Sequence, residues 1–148
     1  MGKPATSNLA PALVQAYRET HYRVIADAAA VVPFVLRVDE ASKVLAGLHK
    51  EFGVDCSAFV TACNPWSESL TDEENLKRME KLRHALRTRS LRWLEGIGQH
   101  PRNLWPGEPS VLVFGLSLAA AKVLAQDFEQ NAFVWSGSDA RPQLVLLR

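Results

Sequence analysis

Apolar side chains recur at helical spacing in several segments of the chain. The clearest lies at residues 71–89, where Thr71 and Glu74 match a capping box and Asp72 adds a negative charge to the first turn. On a helical projection, Asn75 falls within the apolar stripe of this segment. The predicted helices cover residues 8–20, with Asn8 as N-cap and Pro11 in the first turn; a segment from Asp39 or Ser42 to Phe52, stopped by Gly53; 71–89, with Leu76, Met79, Leu82 and Leu86 facing inward; and 117–128, capped by Ser117.

Shorter apolar runs between these helices predict strands. Residues 22–26 and 33–38 are rich in β-prone side chains and flank an Ala-rich turn at 27–30, which is typical of a hairpin. Residues 56–63 form an apolar run whose neighbouring side chains point to opposite faces, so we expect a central strand covered on both sides. Further strands are predicted at 91–94, 110–115, 132–135 and 144–147, with a Gly- and Pro-rich loop at 96–109.

The order of these elements indicates a single α+β domain. Hairpins are mixed with strand–helix–strand units, and helices packed on a mixed sheet satisfy that order best. We therefore expect a mixed β-sheet packed with three to four helices in one compact domain over residues 1–148, with residues 1–7 flexible. A doubly wound parallel sheet is the alternative.

Charge and hydropathy exclude several classes of protein. Seventeen Lys and Arg against sixteen Asp and Glu give a net charge of +1, so no overall field attracts nucleic acid or an anionic membrane. Asn8 and Pro11 interrupt the apolar residues near the amino terminus, which does not resemble a signal peptide, and no run is long enough to span a bilayer. We expect a soluble, cytoplasmic protein whose charged partners, if any, are bound locally.

Cysteine and histidine spacing gives no sign of a metal centre. Cys56 and Cys63 lie seven positions apart, which fits neither a redox pair nor a zinc half-site, and we expect free thiols. The four histidines are scattered without ligand spacing. Phosphate loops, dinucleotide fingerprints and paired-carboxylate motifs are also missing from the sequence, so no metal and no cofactor are expected.

The loop at residues 64–67 is the most function-like segment. It leaves the end of the predicted central strand and leads into the capped helix, where α/β proteins commonly place ligand sites. Asn64-Pro65 is also an ordinary turn, and this alternative stays open. Asn75 must find hydrogen-bond partners, either as a structural clamp on the Asn64 loop or within a polar pocket. Cys63, beside the turn, is a candidate nucleophile that no His supports by its position in the sequence.

Two cationic features have competing interpretations. Arg78 lies at the edge of the apolar stripe, where it has the reach to pair with Glu108 or with a ligand anion. Seven of the sixteen residues from 77 to 92 are Lys or Arg, which suggests a nucleic-acid surface. These charges are spread around the helix without interleaved aromatic residues, so a solvated face is favoured and nucleic acid is disfavoured.

Five sets of fragments match a known pattern in the same order along the chain. They are Ala16-Tyr17 with Thr20-x-Tyr22, Phe59-Val60-Thr61-Ala62-x-Asn64-Pro65-x-Ser67, Glu74-Asn75-x-x-Arg78, Trp105-x-x-Glu108-Pro109-Ser110 and Phe128-x-Gln130-Asn131-Ala132. Together they resemble a family of small bacterial proteins catalogued as domain of unknown function 3293, which brings no established activity with it. The resemblance implies that the polar matching residues form one constellation, namely Asn64, Ser67, Asn75, Arg78, Glu108, Gln130 and Asn131.

The chain departs from the family pattern in two places. The family usually has a bulky residue, often Trp, where this chain has Cys63, and this weakens the hypothesis of a catalytic cysteine. It commonly has Gly where this chain has Glu129, which puts a Gly-dependent turn in doubt at that point.

Three functional hypotheses follow. The leading one is a non-catalytic module that binds a small polar or anionic ligand through this constellation. The second is a small hydrolase or transferase that uses Glu108 as general base and Arg78 as electrostatic stabiliser. The third is a protein or nucleic-acid interaction domain that uses the basic segment 77–92. Whether the protein is an enzyme, and its oligomeric state, stay open.

Overall fold

Three of the four α-helices of the described chain begin where a side chain satisfies a free backbone N–H group. In the computed structural model, which describes residues 8–25, 32–102 and 106–148, the helices are α1 (Pro11–Glu19), α2 (Lys43–Glu51), α3 (Asp72–Thr88) and α4 (Leu118–Asp127). The hydroxyls of Ser42, Thr71 and Ser117 cap α2, α3 and α4, and the capping box of Thr71 and Glu74 is present as predicted. The exception is α1, which begins after Ala10 without a side-chain cap, so the prediction of Asn8 as N-cap was wrong.

Three helices end on a residue in the left-handed conformation. Gly53, Ser90 and Glu129 have φ angles of 68°, 55° and 59° after α2, α3 and α4. In each case the backbone N–H groups of this residue and of the residue after it donate to carbonyl oxygens of the last turn, as in a Schellman motif. The left-handed turn that the departure from Gly put in doubt is therefore present at Glu129, at the steric cost that a side chain carries there.

Seven strands form one antiparallel sheet in the described chain. They are β1 (His21–Val24), β2 (Phe34–Leu36), β3 (Ser57–Val60), β4 (Arg92–Gln99), β5 (Glu108–Phe114), β6 (Ala132–Ser136) and β7 (Pro142–Leu146), in the order β2-β1-β4-β5-β3-β6-β7. The α+β class with helices packed on a sheet is confirmed, and β1 and β2 form the predicted antiparallel pair. The turn predicted at 27–30, like residues 1–7, lies outside the described residues.

The strand directions differ from the expectation of a mixed sheet. Every strand pair is antiparallel, which also excludes the doubly wound alternative. The reason lies in the two helical crossovers. The crossover through α3 joins β3 to β4, which lie on either side of β5, and the crossover through α4 joins β5 to β6, which lie on either side of β3. Each crossover therefore joins strands of the same direction without pairing them.

These interleaved crossovers form a ferredoxin-like core. From β3 to β6 the elements run β-α-β-β-α-β, and the four strands lie in the order β4-β5-β3-β6. The hairpin of β1 and β2 extends the sheet beyond β4, and β7 extends it beyond β6. The central position predicted for residues 56–63 is confirmed, since β3 pairs on both sides and all four of its residues are buried.

Strand β4 is longer than the sequence predicts. The predicted strand at 91–94 continues to Gln99, through residues that were assigned to the loop at 96–109. A Cβ atom at Gly96 would lie 2.6 Å from the carbonyl oxygen of Arg23 and 2.7 Å from the Phe59 ring. Gly96 is therefore needed for close approach within the sheet, and not for a turn.

The sheet is covered differently on its two faces. On one face, Met79, Leu82 and Leu86 of α3 pack with α4 on alternate residues of β3 and β5. Leu76, which was predicted to join this stripe, is 61% exposed. On the other face, Leu45 and Leu48 of α2 pack in a cluster that includes Phe59, Leu112, Phe114 and Val134. In the described parts of the chain, no helix combines the length and apolar character needed to cross a membrane.

A buried histidine joins α2 to the centre of the sheet. His49 Nε2 lies 2.8 Å from the Ser57 hydroxyl oxygen, and the His49 ring packs edge-on against Phe114 at 6.4 Å between centroids. Burial lowers the pKa of His49, because the imidazolium form loses its hydration, and the nearby Asp55 carboxylate only partly offsets this effect. The folded protein therefore favours the neutral ring.

Replacement of Ser90 by glycine is expected to stabilise the protein. Ser90→Gly relieves the left-handed strain after α3, and we expect the free energy of unfolding to rise by about 1 kcal/mol. Lys81→Gly, in the exposed middle of the same helix, is the control and should lower it by about 1 kcal/mol. Urea denaturation measures both. A loss of stability in Ser90→Gly would contradict the strain at this position.

The stability of the protein should fall in mild acid because of His49. Since the folded state holds the pKa of His49 below its unfolded value of about 6.5, the stabilisation by the neutral ring is complete above that pH. It is lost as pH falls through the lowered folded pKa. We expect His49→Gln to show a smaller loss of unfolding free energy between pH 8 and pH 5 than the wild type. The exposed substitution His84→Gln should retain the wild-type pH dependence, and equal slopes for all three proteins would refute the role of His49.

Candidate functional site

A cavity of about 480 Å³ lies between α1 and the sheet face that carries Phe59 and Val134. Leu13, Ala16 and Tyr17 of α1 line it from one side. The apolar lining from the sheet includes Tyr22, Phe59, Val134 and Leu144. Its volume lies in the range of sites that bind small molecules, and an apolar lining with a few polar groups is typical of such sites.

Glu108 supplies the carboxylate of this cavity. It is the first residue of β5, and the alternation of the strand places its side chain on the same face as Ser110 and Leu112. Its Oε2 atom accepts a hydrogen bond of 2.8 Å from Asn64 Nδ2, while Oε1 has no donor among the described residues. Burial raises the pKa of Glu108, and the hydrogen bond from Asn64 acts in the opposite direction.

Asn64 and Asn75 clamp each other by a reciprocal pair of hydrogen bonds. The Asn64 backbone N–H donates to Asn75 Oδ1 at 2.9 Å, and Asn75 Nδ2 donates to Asn64 Oδ1 at 2.8 Å. Asn64 Oδ1 also accepts from the Leu70 N–H at 3.0 Å. With its oxygen held in this way, the Asn64 amide turns its NH₂ group towards Glu108. Of the two roles considered for Asn75, the contacts are those of the structural clamp.

The loop that carries Asn64 has an unusual backbone. Asn64, Trp66 and Ser67 have φ angles of 49°, 54° and 62°, a region that costs a non-glycine residue roughly 1–3 kcal/mol. The Trp66 N–H donates to the carbonyl oxygen of Glu129 at 2.7 Å, and the Arg148 guanidinium lies 4.5 Å from the centroid of the Trp66 ring. These contacts hold the loop in a shape that directs Asn64 and Ser67 towards the cavity.

Arg78 and Gln130 bond to the backbone beside this loop. Arg78 donates to the carbonyl oxygens of Ala62 and Phe128, the latter at 2.6 Å, and forms an ion pair of 3.5 Å with Glu129. Gln130 Nε2 donates to the carbonyl oxygens of Cys63 and Phe128 at 3.0 and 3.1 Å. Both side chains thus join the end of β3 to the end of α4. The predicted pairing of Arg78 with Glu108 does not occur, because backbone carbonyls and Glu129 use the guanidinium.

Ser67 links Asn131 to helix α1. Asn131 Nδ2 donates to Ser67 Oγ at 2.8 Å, and Ser67 Oγ lies 2.9 Å from the Tyr17 hydroxyl. The Tyr22 hydroxyl donates to the carbonyl oxygen of Tyr17 at 2.6 Å. Since α1 has no buried residue, these polar contacts are important for holding it over the cavity.

The structure brings the seven predicted site residues together in one part of the fold. Four of them line the cavity: Asn64, Ser67, Glu108 and Gln130. The other three hold this first group in place. Asn75 and Asn131 bond to Asn64 and Ser67 of the loop, and Arg78 bonds to the Ala62 carbonyl oxygen just before it.

Several lining residues were not predicted as site residues. Part of this group lies in fragments that matched the family pattern, and this match was the available signal; it includes Tyr17, Thr20, Tyr22, Phe59, Thr61 and Ser110. Nothing in the local sequence distinguished the others, because a strand residue lines the cavity only through the packing of distant segments. They include Gly98 and His100.

Two alternative sites receive little support from the contacts. Cys56 and Cys63 are free and buried, as predicted, but burial raises the pKa of the Cys63 thiol to about 11, which suppresses the reactive thiolate. In the basic segment, Arg83 pairs with Glu80 and Glu95 at 2.7 and 2.8 Å. Within the described residues, no group of three or more His, Cys, Asp and Glu side chains is arranged to hold a metal ion.

Removal of the Arg78 guanidinium is expected to destabilise the fold itself. Arg78→Ala leaves the Ala62 and Phe128 carbonyl oxygens without their donor, so the free energy of unfolding should fall by about 2–3 kcal/mol in chemical denaturation. Lys77→Ala removes a neighbouring cation whose ion pair with Glu73 is exposed, and should change it by less than about 0.5 kcal/mol. Equal effects of the two substitutions would contradict the role of Arg78 in joining the end of β3 to the end of α4.

Comparison with known proteins identifies the family. The family model described as protein of unknown function (DUF3293) matches residues 60–133, half of the 148-residue chain, from the last residue of β3 into β6. No curated protein and no solved structure matches the chain. The matched segment contains all seven predicted site residues, and the chain belongs to this family of unknown function.

Proposed function

We propose that the protein binds a small molecule in the cavity beneath α1, with Glu108 as the polar anchor. The main support is that Glu108 lines a largely apolar cavity while its Oε1 atom receives no hydrogen bond from the described residues. A ligand N–H or O–H group satisfies this oxygen, while the ligand body contacts Phe59, Val134 and Leu144. This arrangement combines one orienting group with apolar surface.

The contacts around Glu108 support binding because they fix its position in advance. Asn64 holds one carboxylate oxygen, and Asn75 and Leu70 hold Asn64. A ligand that meets a preorganised group loses less free energy to ordering on binding than one that meets a mobile side chain.

The lining favours a polar ligand over an anionic one. Among the described lining residues there is no Lys or Arg, and Glu108 itself repels anions. Arg78, which was considered as an anion partner, contacts backbone carbonyls and Glu129 instead.

A proton-transfer enzyme is the second candidate function. Glu108 lies in a concave site and burial raises its pKa, which is the direction of shift that favours a carboxylate as general base. Arg78 does not supply the electrostatic stabilisation that this hypothesis first assigned to it. Turnover of a bound compound, lost in Glu108→Gln, would favour this candidate over simple binding.

Filling the cavity is expected to abolish binding. A Cβ atom at Gly98 would meet Thr20, Tyr22 and Phe59 only at 3.8 Å or more, so a larger side chain there extends into the cavity. With 2-phenylethanol as an uncharged probe, calorimetric titration should show binding to the wild type and at least about tenfold weaker binding to Gly98→Leu.

Gly47→Leu provides the matched control. Gly47 is exposed on α2 with open space around its Cβ position, so the same substitution there should leave the affinity for 2-phenylethanol unchanged. Failure of 2-phenylethanol to bind to the wild type, or equal affinities of Gly98→Leu and wild type, would contradict the proposed site.

A further inference from the structure

Glu108 differs from the other partly buried acids of the described chain in having no cationic partner. Glu95 accepts from Arg83 and from the Trp93 indole, and Glu19 pairs with His100 at 3.0 Å and with Arg102 at 2.9 Å. Glu108 has only the neutral amide of Asn64. A carboxylate removed from water is costly unless a cation or several hydrogen bonds compensate for the lost hydration.

The positive groups near the cavity are engaged elsewhere. His100 is the one lining residue in the described ranges that can carry a positive charge, and its Nε2 atom faces Glu19. Arg78 is bound to Ala62, Phe128 and Glu129. The described protein therefore leaves the charge of Glu108 to be balanced from within the cavity.

The rest of the lining suits a cation with an apolar body. The rings of Tyr17, Tyr22 and Phe59 line the cavity, and aromatic rings attract ammonium groups as well as apolar surface. Ser110 also lines the cavity; its hydroxyl donates to the Glu108 carbonyl oxygen, so its own oxygen can accept a further N–H group of an ammonium.

From this arrangement we infer that the ligand is a small amine, whose protonated nitrogen pairs with Glu108 and whose apolar body, about the size of one ring, lies against Phe59 and Val134. This inference rests on the proposed binding function and adds the charge of the ligand. A primary or secondary ammonium supplies both the countercharge and the donor that Oε1 lacks.

Three probes of similar size separate charge from shape. They are 2-phenylethylamine as the cation, 2-phenylethanol as the neutral analogue and phenylacetate as the anion, each titrated calorimetrically at about pH 8, where an alkylamine is still protonated. For the wild type we expect the amine to bind about tenfold more tightly than the alcohol, and phenylacetate to bind most weakly of the three.

The dependence on Glu108 is tested by removing its charge. Glu108→Gln keeps an oxygen that can accept from Asn64, and we expect the ratio of amine to alcohol affinity to fall to within about twofold of one. Glu51→Gln removes the same charge from an exposed position on α2 outside the lining, and should keep the wild-type ratio. A thermal melt of each variant shows whether it is folded.

The outcomes distinguish the two proposals. If the alcohol binds to the wild type but the amine binds no more tightly, or phenylacetate binds best, the amine inference is overturned while the cavity remains a binding site. If none of the three probes binds to the wild type, both proposals fail. The wild-type ratio decides the inference even if Glu108→Gln does not fold, and a Glu108→Gln protein that keeps the tenfold preference also overturns it.

Discussion

The site depends on one constraint, the fixed orientation of the Asn64 side chain. Its oxygen accepts from Asn75 and from the Leu70 N–H, so its NH₂ group is directed to Glu108. This requires a left-handed backbone at Asn64 and a helix α3 that begins at the right distance to present Asn75. The capping box at Thr71 thus has a consequence beyond helix stability, because it sets the start of the helix whose first turns carry Asn75 and Arg78.

Two parts of the fold line the cavity: the ferredoxin-like core, and the elements α1 and β1 that precede it in the chain. The carboxylate, the Asn64 loop and Gln130 belong to the ferredoxin-like core, within the segment that the family model matches. Leu13, Tyr17 and Tyr22 come from α1 and β1, before the matched segment. The core therefore supplies the polar anchor, while the added elements supply much of the apolar and aromatic surface. Under the proposed function, the first set orients the ligand and the second selects its size.

Each partly buried Asp, Glu, Lys or Arg side chain of the described structure has a partner that can carry the opposite charge, with Glu108 as the exception. Arg83 is matched by Glu80 and Glu95, and Arg78 is satisfied by carbonyl oxygens and Glu129. Both guanidinium groups thus join elements of the fold, and neither pairs with the carboxylate in the cavity. A carboxylate in apolar surroundings that keeps an unpaired oxygen is a costly arrangement for stability alone, which is why it supports a functional role.

Features that depend on nearby residues were predictable from the amino-acid sequence. The caps at Ser42, Thr71 and Ser117, the stop at Gly53, the central strand β3 and the α+β class were all predictable, because each follows from local hydrogen bonding or from side-chain periodicity. The constellation around Asn64 was predictable as a set only through the family resemblance.

Tertiary structure decided what depends on segments far apart in the chain. Gly96 had the local signature of a loop, but the approach of Arg23 and Phe59 makes it a strand residue. Arg78 had the reach to contact Glu108, but its guanidinium donates to the carbonyl oxygens of Ala62 and Phe128 instead. The cavity itself arises where α1 crosses a sheet face, and the antiparallel order of that sheet follows from two interleaved crossovers. Local patterns specify elements, whereas the partners of a polar side chain are fixed only when the elements pack.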